Sequence, residues 1–330
     1  VCISKSRVKM DFSRIDPELH DGLKMLQAAM PLGANLADDL AGTRAAASAR
    51  NGMMMADFTL PDDVVLEVVR FTGSDGHQVD MRMMRPKQPA TTPMPLFYWM
   101  HGGGYILGSA QQDDPLMARF ASQLGCVAVS VDYRLSPETA FPGPHNDCYE
   151  GLVHLIDKAA HFQIDSQRIA IGGASAGGGL AAGLALRVRD EGTAKLVGQV
   201  LLYPMIDDRN VAPPSATLEN TAVWSREGNL FGWTSYLGKT PGGDDVPAYA
   251  AAARAEDLSG LPPTYLPVGE LDLFLDEDID YAHRLLKAGN ACELHVFPGA
   301  VHGFNGFMPN ARISQICNQE IASFVARVLA

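Results

Sequence analysis

The sequence predicts an α/β protein built on a mostly parallel, eight-stranded sheet flanked by helices. Beyond residue 95, short apolar runs at 96–100, 126–131, 168–171, 197–203, 264–268 and 294–297 are mostly separated by helix-length segments, which is the rhythm of βαβ crossovers. Upstream, two further strand-like runs at 64–71 and 78–84 flank Thr72-Gly73-Ser74-Asp75-Gly76, the residues of a hairpin turn, so the sheet begins antiparallel. With 330 residues, 47% of them hydrophobic, the chain can bury a large core and fits one α/β domain with an appended piece.

Taken in order, residues 10–50 read as helical and alanine-rich, with Asp16 as an N-cap and Pro17 in the first turn. This predicts an N-terminal helical arm over 1–50, in which residues 1–9 are expected to be a cloning remnant ahead of Met10. The catalytic core is expected over 51–204 and 258–330. Between them, 205–257 separates two predicted strands by far more than an ordinary loop and holds Trp224, Phe231, Trp233 and Tyr236 among glycines and prolines. That segment predicts a helical cap insertion, joined by the arm and closing over the strand ends.

A net charge of −12, with 26 basic residues scattered along the chain, argues against nucleic acid and anionic membrane surfaces as partners. Cys2, Cys126, Cys148, Cys292 and Cys317 are odd in number and widely spaced, without a Cys-x-x-Cys or a nearby histidine pair, so neither a disulfide framework nor a zinc site is indicated. No segment runs eighteen apolar residues and residues 1–9 lack a signal-peptide core, which predicts a soluble, cytoplasmic protein with no transmembrane segment.

The chemistry centres on Gly173-Ala174-Ser175-Ala176-Gly177, where an apolar strand turns into an Ala/Leu-rich helix. Glycines two before and two after the serine let such a turn tighten and leave the hydroxyl projecting above the sheet edge; a loop that merely lets a helix pack closely is the alternative. Acyl transfer by serine also needs a base, an acid to orient it and donors for the oxyanion. His302 follows the last predicted strand on a glycine-flanked loop, and Asp272 follows the strand at 264–268. Glu270, Asp276, Glu277 and Asp278 crowd the same stretch, but the last three suit the first turn of the next helix. The chain order Ser175, Asp272, His302 is that of α/β-hydrolases. Oxyanion amides are expected from Ala176 and from the loop His101-Gly102-Gly103-Gly104-Tyr105, whose glycines let backbone approach a substrate carbonyl. Neither metal nor cofactor is called for, and a histidine base that must be neutral implies activity falling with acidity.

His101-Gly102-Gly103-Gly104, Tyr133-Arg134-Leu135-Ser136-Pro137-Glu138, the elbow at Ser175 and His302-Gly303-Phe304 together resemble the bacterial hormone-sensitive-lipase-like esterases, from about residue 61 to the C-terminus. The resemblance implies an α/β-hydrolase fold, short acyl esters as substrates and oxyanion amides at Gly103, Gly104 and Ala176. Two departures are Ala174, where many members carry Asp or Thr, and Asp272-Leu273-Phe274, where Asp-Pro-Leu is common; the second leaves Asp276 as a rival acid. Asp132, Arg134, Glu138 and Asp147 are assigned to ion pairing and loop bracing.

Tyr105, Trp224, Phe231 and Trp233 are expected to line the substrate pocket, with Met53 to Met55 near it. An amidase or deacetylase would use the same triad, and a non-catalytic receptor would share the fold without it. A homodimer is a further expectation, paired through an edge strand at 291–297.

Overall fold

A computed structural model describes residues 12–29, 36, 38–88, 90–210 and 223–330. Residues 1–9, expected to be a remnant, and residues 211–222 of the expected cap lie outside the described residues. Among these residues, eight strands form one sheet: β1 Val64–Thr72, β2 Gln78–Pro86, β3 Met94–Met100, β4 Val127–Val131, β5 Ile164–Ala174, β6 Leu196–Leu202, β7 Thr264–Leu271 and β8 Cys292–Val301. Their order is β1-β2-β4-β3-β5-β6-β7-β8. The hairpin β1–β2 is antiparallel, β2 is antiparallel to β4, and every later pairing is parallel.

Among the described residues, ten α-helices connect and flank these strands: α1 His20–Ala29, α2 Leu40–Met54, α3 Asp114–Leu124, α4 Gly143–Asp157, α5 Ala159–Phe162, α6 Ala176–Glu191, α7 Arg226–Leu237, α8 Leu275–Lys287, α9 Phe304–Phe307 and α10 Arg312–Leu329. Strand alternation divides the core into two layers. Leu96, Tyr98 and Met100 of β3 face Leu152 of α4 and Leu180 and Leu184 of α6, together with Tyr281 and Leu285 of α8. Phe97 and Trp99 face the other side, with Phe120 of α3 and Ile321 and Phe324 of α10. A strand apolar on both faces is stable only when both are covered, and each such side chain contributes roughly 1.5–3 kcal/mol on burial.

Strands β5 and β8 extend furthest beyond their apolar runs. β5 begins at Ile164, which pairs with Met94; the polar stretch Asp165 to Arg168, which reads as loop, bulges at the register shift before Ile169 pairs with Leu96, and Arg168 pairs with Asp165 within it. β8 continues through Pro298 and Gly299 to Val301; it lies at the sheet edge, where a proline without an N–H costs no interior ladder bond. Asp16 accepts the N–H of Glu18, with Pro17 in the first turn, at the start of the helical arm as predicted. The expected arm boundary at residue 50 falls inside α2, which runs to Met54. Among the described residues, no helix is long and apolar enough to cross a membrane.

Candidate active site

Ser175, Asp272, His302 and the glycine loop all lie just past the carboxyl ends of parallel strands, β5, β7, β8 and β3 respectively. Ser175 occupies φ 57°, ψ −121°, a backbone region that costs a non-glycine residue on the order of 1–3 kcal/mol. The surrounding backbone holds it there: its N–H donates to the Leu202 carbonyl at 2.8 Å, and its own carbonyl accepts from Gly179 and Met205 at 3.0 Å each. The flanking glycines are sterically required. A Cβ on Gly173 would stand 2.2 Å from the Gly177 carbonyl oxygen, and one on Gly177 would stand 2.1 Å from that of Met100.

The three polar side chains meet in a line. His302 Nε2 lies 2.9 Å from Ser175 Oγ, and His302 Nδ1 lies 2.8 Å from Asp272 Oδ2. Asp272 is fully buried, and its other oxygen accepts the N–H of Phe274 at 3.0 Å, so both carboxylate oxygens are committed. Ser175 and His302 retain only 7% and 6% exposure, enough to reach solvent from one side. Tyr203 and Phe274 hold the imidazole edge-on from two directions, with ring centroids 4.9 and 5.2 Å away. The Tyr203 hydroxyl donates to Asn305 Oδ1 at 2.8 Å, and Asn305 in turn donates to Asn318. No sequence motif marked Tyr203 or Asn305; they lie 99 and 3 residues from His302, and the contact of Tyr203 with both is a matter of packing alone.

The other acids near Asp272 are engaged elsewhere. Glu270 pairs with Arg14 and accepts the N–H of Gly299, while Asp276 is exposed at the start of α8. Asp276, Glu277 and Asp278 do form the first turn of that helix, but only Asp276 sits there as a solvated charge. Glu277 is turned inward to accept the N–H groups of Ile206 and Asp207, and burial pushes the carboxyls of Glu277 and Asp278 well above the usual carboxylate range.

The loop after β3 carries Gly103 at φ +140° and Gly104 at φ +61°. Among the described residues, the N–H groups of Gly103, Gly104 and Ala176 donate to no protein acceptor. The preceding carbonyl, Gly102 O, is held by His101 Nδ1–H at 2.9 Å and Gln112 Nε2–H at 3.1 Å. Burial lowers the His101 pKa, which keeps the ring neutral as it stacks on Tyr133 at 4.1 Å.

The expected pocket residues separate into two groups. Trp224 is half-buried with its indole edge against Gly104, where a Cβ would stand 2.2 Å from Cη2, and Phe231 is partly exposed on α7. Tyr105 and Trp233 are instead sealed in the core: the Tyr105 hydroxyl donates to Met205 O, and its ring stacks on Tyr236 at 4.0 Å beside Trp233. The residues assigned to bracing are paired: Arg134 with Asp147 and Asp75, Asp132 with the N–H of Ala110, and Glu138 with Arg44.

Known proteins share this arrangement of chain. A family model described as alpha/beta hydrolase fold matches residues 97–306. Carboxylesterase NlhH of Mycobacterium tuberculosis is 33% identical over 300 residues, covering 88% of this chain and 90% of its own length. Ethyl acetate hydrolase of Pseudomonas putida is 32% identical over 238 residues, covering 71% and 73%. Among solved structures, a bacterial heroin esterase superposes with a TM-score of 0.89 at 41% identity, covering 97% of this chain and 99% of that one.

Proposed function

The chain belongs to the α/β-hydrolase family, among its hormone-sensitive-lipase-like esterases, and from that premise we propose that it is a serine carboxylesterase acting on short-chain acyl esters. The observation that carries the proposal is a single imidazole within hydrogen-bond reach of a serine hydroxyl on one side and a buried carboxylate on the other. In this reading Ser175 Oγ attacks the ester carbonyl carbon as its proton passes to His302 Nε2. Asp272 holds Nδ1–H, fixing the tautomer and stabilising the imidazolium. The amides of Gly103, Gly104 and Ala176, without protein acceptors among the described residues, receive the oxyanion. Collapse of the tetrahedral adduct breaks the ester C–O bond, and the departing alkoxide takes the proton from His302. Water, deprotonated by the same histidine, then attacks the acyl-enzyme and releases the acid.

The short-chain preference is supported by Trp224, whose indole edge stands against Gly104 beside the proposed oxyanion amides and limits room there. We also read the N-terminal arm and the insertion at 205–257 as one cap over the strand ends. Replacement Ser175→Ala tests the assignment: hydrolysis of p-nitrophenyl butyrate is expected to fall by roughly 10⁴-fold or more with the fold intact, and substantial residual turnover would refute it. A series of p-nitrophenyl esters tests the substrate class, with acetate and butyrate expected to exceed laurate in kcat/KM.

A further inference from the structure

A loop of three consecutive glycines has little side-chain packing to hold it, yet an oxyanion hole works only if its donors are already in place. Here the backbone carbonyls hold the loop. Gly102 O accepts from His101 and Gln112, Gly103 O from the N–H groups of Ile106 and Leu107, Tyr105 O from the N–H of Ser136, and Ile106 O from Arg44. Because a peptide unit is planar with C=O and N–H on opposite sides, holding the carbonyls of Gly102 and Gly103 also fixes the directions of the Gly103 and Gly104 N–H groups.

Two of these ties lead to the same helix. Arg44 and Asn51 of α2 are seven residues apart, two helical turns, and so share one face. Asn51 donates to Gln112 Oε1 at 3.3 Å, and Gln112 donates to Gly102 O. Arg44 Nε donates to Ile106 O at 2.8 Å, while its other nitrogens reach Ser136 O at 2.8 Å and both oxygens of Glu138 at 2.7 and 2.8 Å. One guanidinium thereby joins α2, the glycine loop and the Tyr133-to-Glu138 segment. Its planar fork can satisfy these acceptors together, which an ammonium cannot. The Arg44 guanidinium holds the Glu138 carboxyl down to about 2, so the pair stays charged throughout the range in which a neutral histidine can act.

We propose that α2 is a strut for the oxyanion loop, with Arg44 and Gln112 as positioning residues that set the Gly103 and Gly104 amides for the transition state. The inference rests on the reading of that loop as the oxyanion hole. It gives the N-terminal arm a part in turnover as well as in covering the site.

The test compares Arg44→Ala, Arg44→Lys and Gln112→Met, using kcat and KM for p-nitrophenyl acetate and the inhibition constant of a short aliphatic trifluoromethyl ketone, which forms a tetrahedral adduct. Arg44→Ala is expected to lower kcat about tenfold to a hundredfold with KM within about threefold, and to weaken the ketone in proportion to kcat. Arg44→Lys should recover part of both losses, and Gln112→Met should show a smaller loss in both. A purely structural role would reduce the fraction of enzyme titrated by a fluorophosphonate and leave the ketone constant unchanged, and that result overturns the proposal. So would unaltered kcat per titrated site in Arg44→Ala. Should Arg44→Ala not fold, Gln112→Met decides by the same comparison. Turnover surviving in Ser175→Ala would instead refute the esterase reading itself, independently of Arg44.

Discussion

At the scale of single residues, the site depends as much on missing atoms as on present ones. Gly177 shows this most directly, because a methyl there would press on the carbonyl oxygens of both Met100 and His101, at 2.1 and 2.4 Å. Both are backbone atoms of β3 and the loop beyond it, and neither can rotate away. Gly177→Ala is therefore expected to cost on the order of 1–3 kcal/mol or more in urea denaturation and to reduce esterase turnover sharply, since relief requires moving the elbow or the glycine loop. Stability and turnover within error of the parent protein would contradict this account. The positions of Ser175, Asp272 and His302 past strand ends were legible in the sequence because each follows an apolar run, and the elbow glycines because they flank the serine. Tyr203, Asn305 and Gln112 were not, because nothing local distinguishes a residue whose importance lies in what it packs against. The inward turn of Glu277 was equally hidden: its partners, the N–H groups of Ile206 and Asp207, belong to a segment 70 residues away.

At the scale of elements, α7 is attached by aromatic packing. Tyr236 stacks on Tyr105, lies edge-on to Phe141, and its backbone carbonyl accepts the N–H of Phe141 at 2.6 Å. Its hydroxyl is buried and, among the described residues, has no hydrogen-bond partner. An unpaired buried hydroxyl opposes folding, whereas the ring it sits on favours it. Tyr236→Phe should consequently retain or raise the thermal midpoint, while Tyr236→Ala should cost about 3–5 kcal/mol. Calorimetry on the two variants checks both expectations, and a clear loss in Tyr236→Phe would mean that the hydroxyl is satisfied in solution. The aromatic content of residues 205–257 was readable in the sequence as pocket or packing without a decision between them. Helix α7 decides it for Trp233, whose position places the indole in the core, whereas Trp224, just before the helix, stands at the glycine loop.

At the scale of the whole molecule, stability depends on pH through buried groups outside the Ser175, Asp272 and His302 line. His145 of α4 lies between Phe141 and Tyr249 with both ring nitrogens lacking protein partners among the described residues, and burial pulls its pKa down to about 3. The unfolded chain binds a proton near pH 6.5 that the folded protein refuses until about 3, so this group removes stability as pH falls through that window, by about 1.4 kcal/mol per unit. Glu277 and Asp278, with raised folded pKa values, act oppositely and remove stability as pH rises above the unfolded carboxylate range. The histidine's share therefore emerges by difference: between pH 6.5 and 5, the parent should lose about 2 kcal/mol more than His145→Phe in urea denaturation. Parallel curves for the two proteins would show that His145 is solvated or paired. What the sequence determined by itself was the class of fold, the strand ends at which the proposed catalytic residues stand and the residue types found there, because hydrophobic periodicity and turn chemistry are local properties. The contacts that make a site, His302 with a serine 127 residues away and an aspartate 30 away, were decided only by the tertiary structure, as were the burial of Tyr105 and Trp233 and the ties from α2. Hydrogen-bond distances of 2.8 and 2.9 Å between such distant residues depend on sheet register and on how side chains fill the space between layers, and neither is encoded in any one stretch of chain.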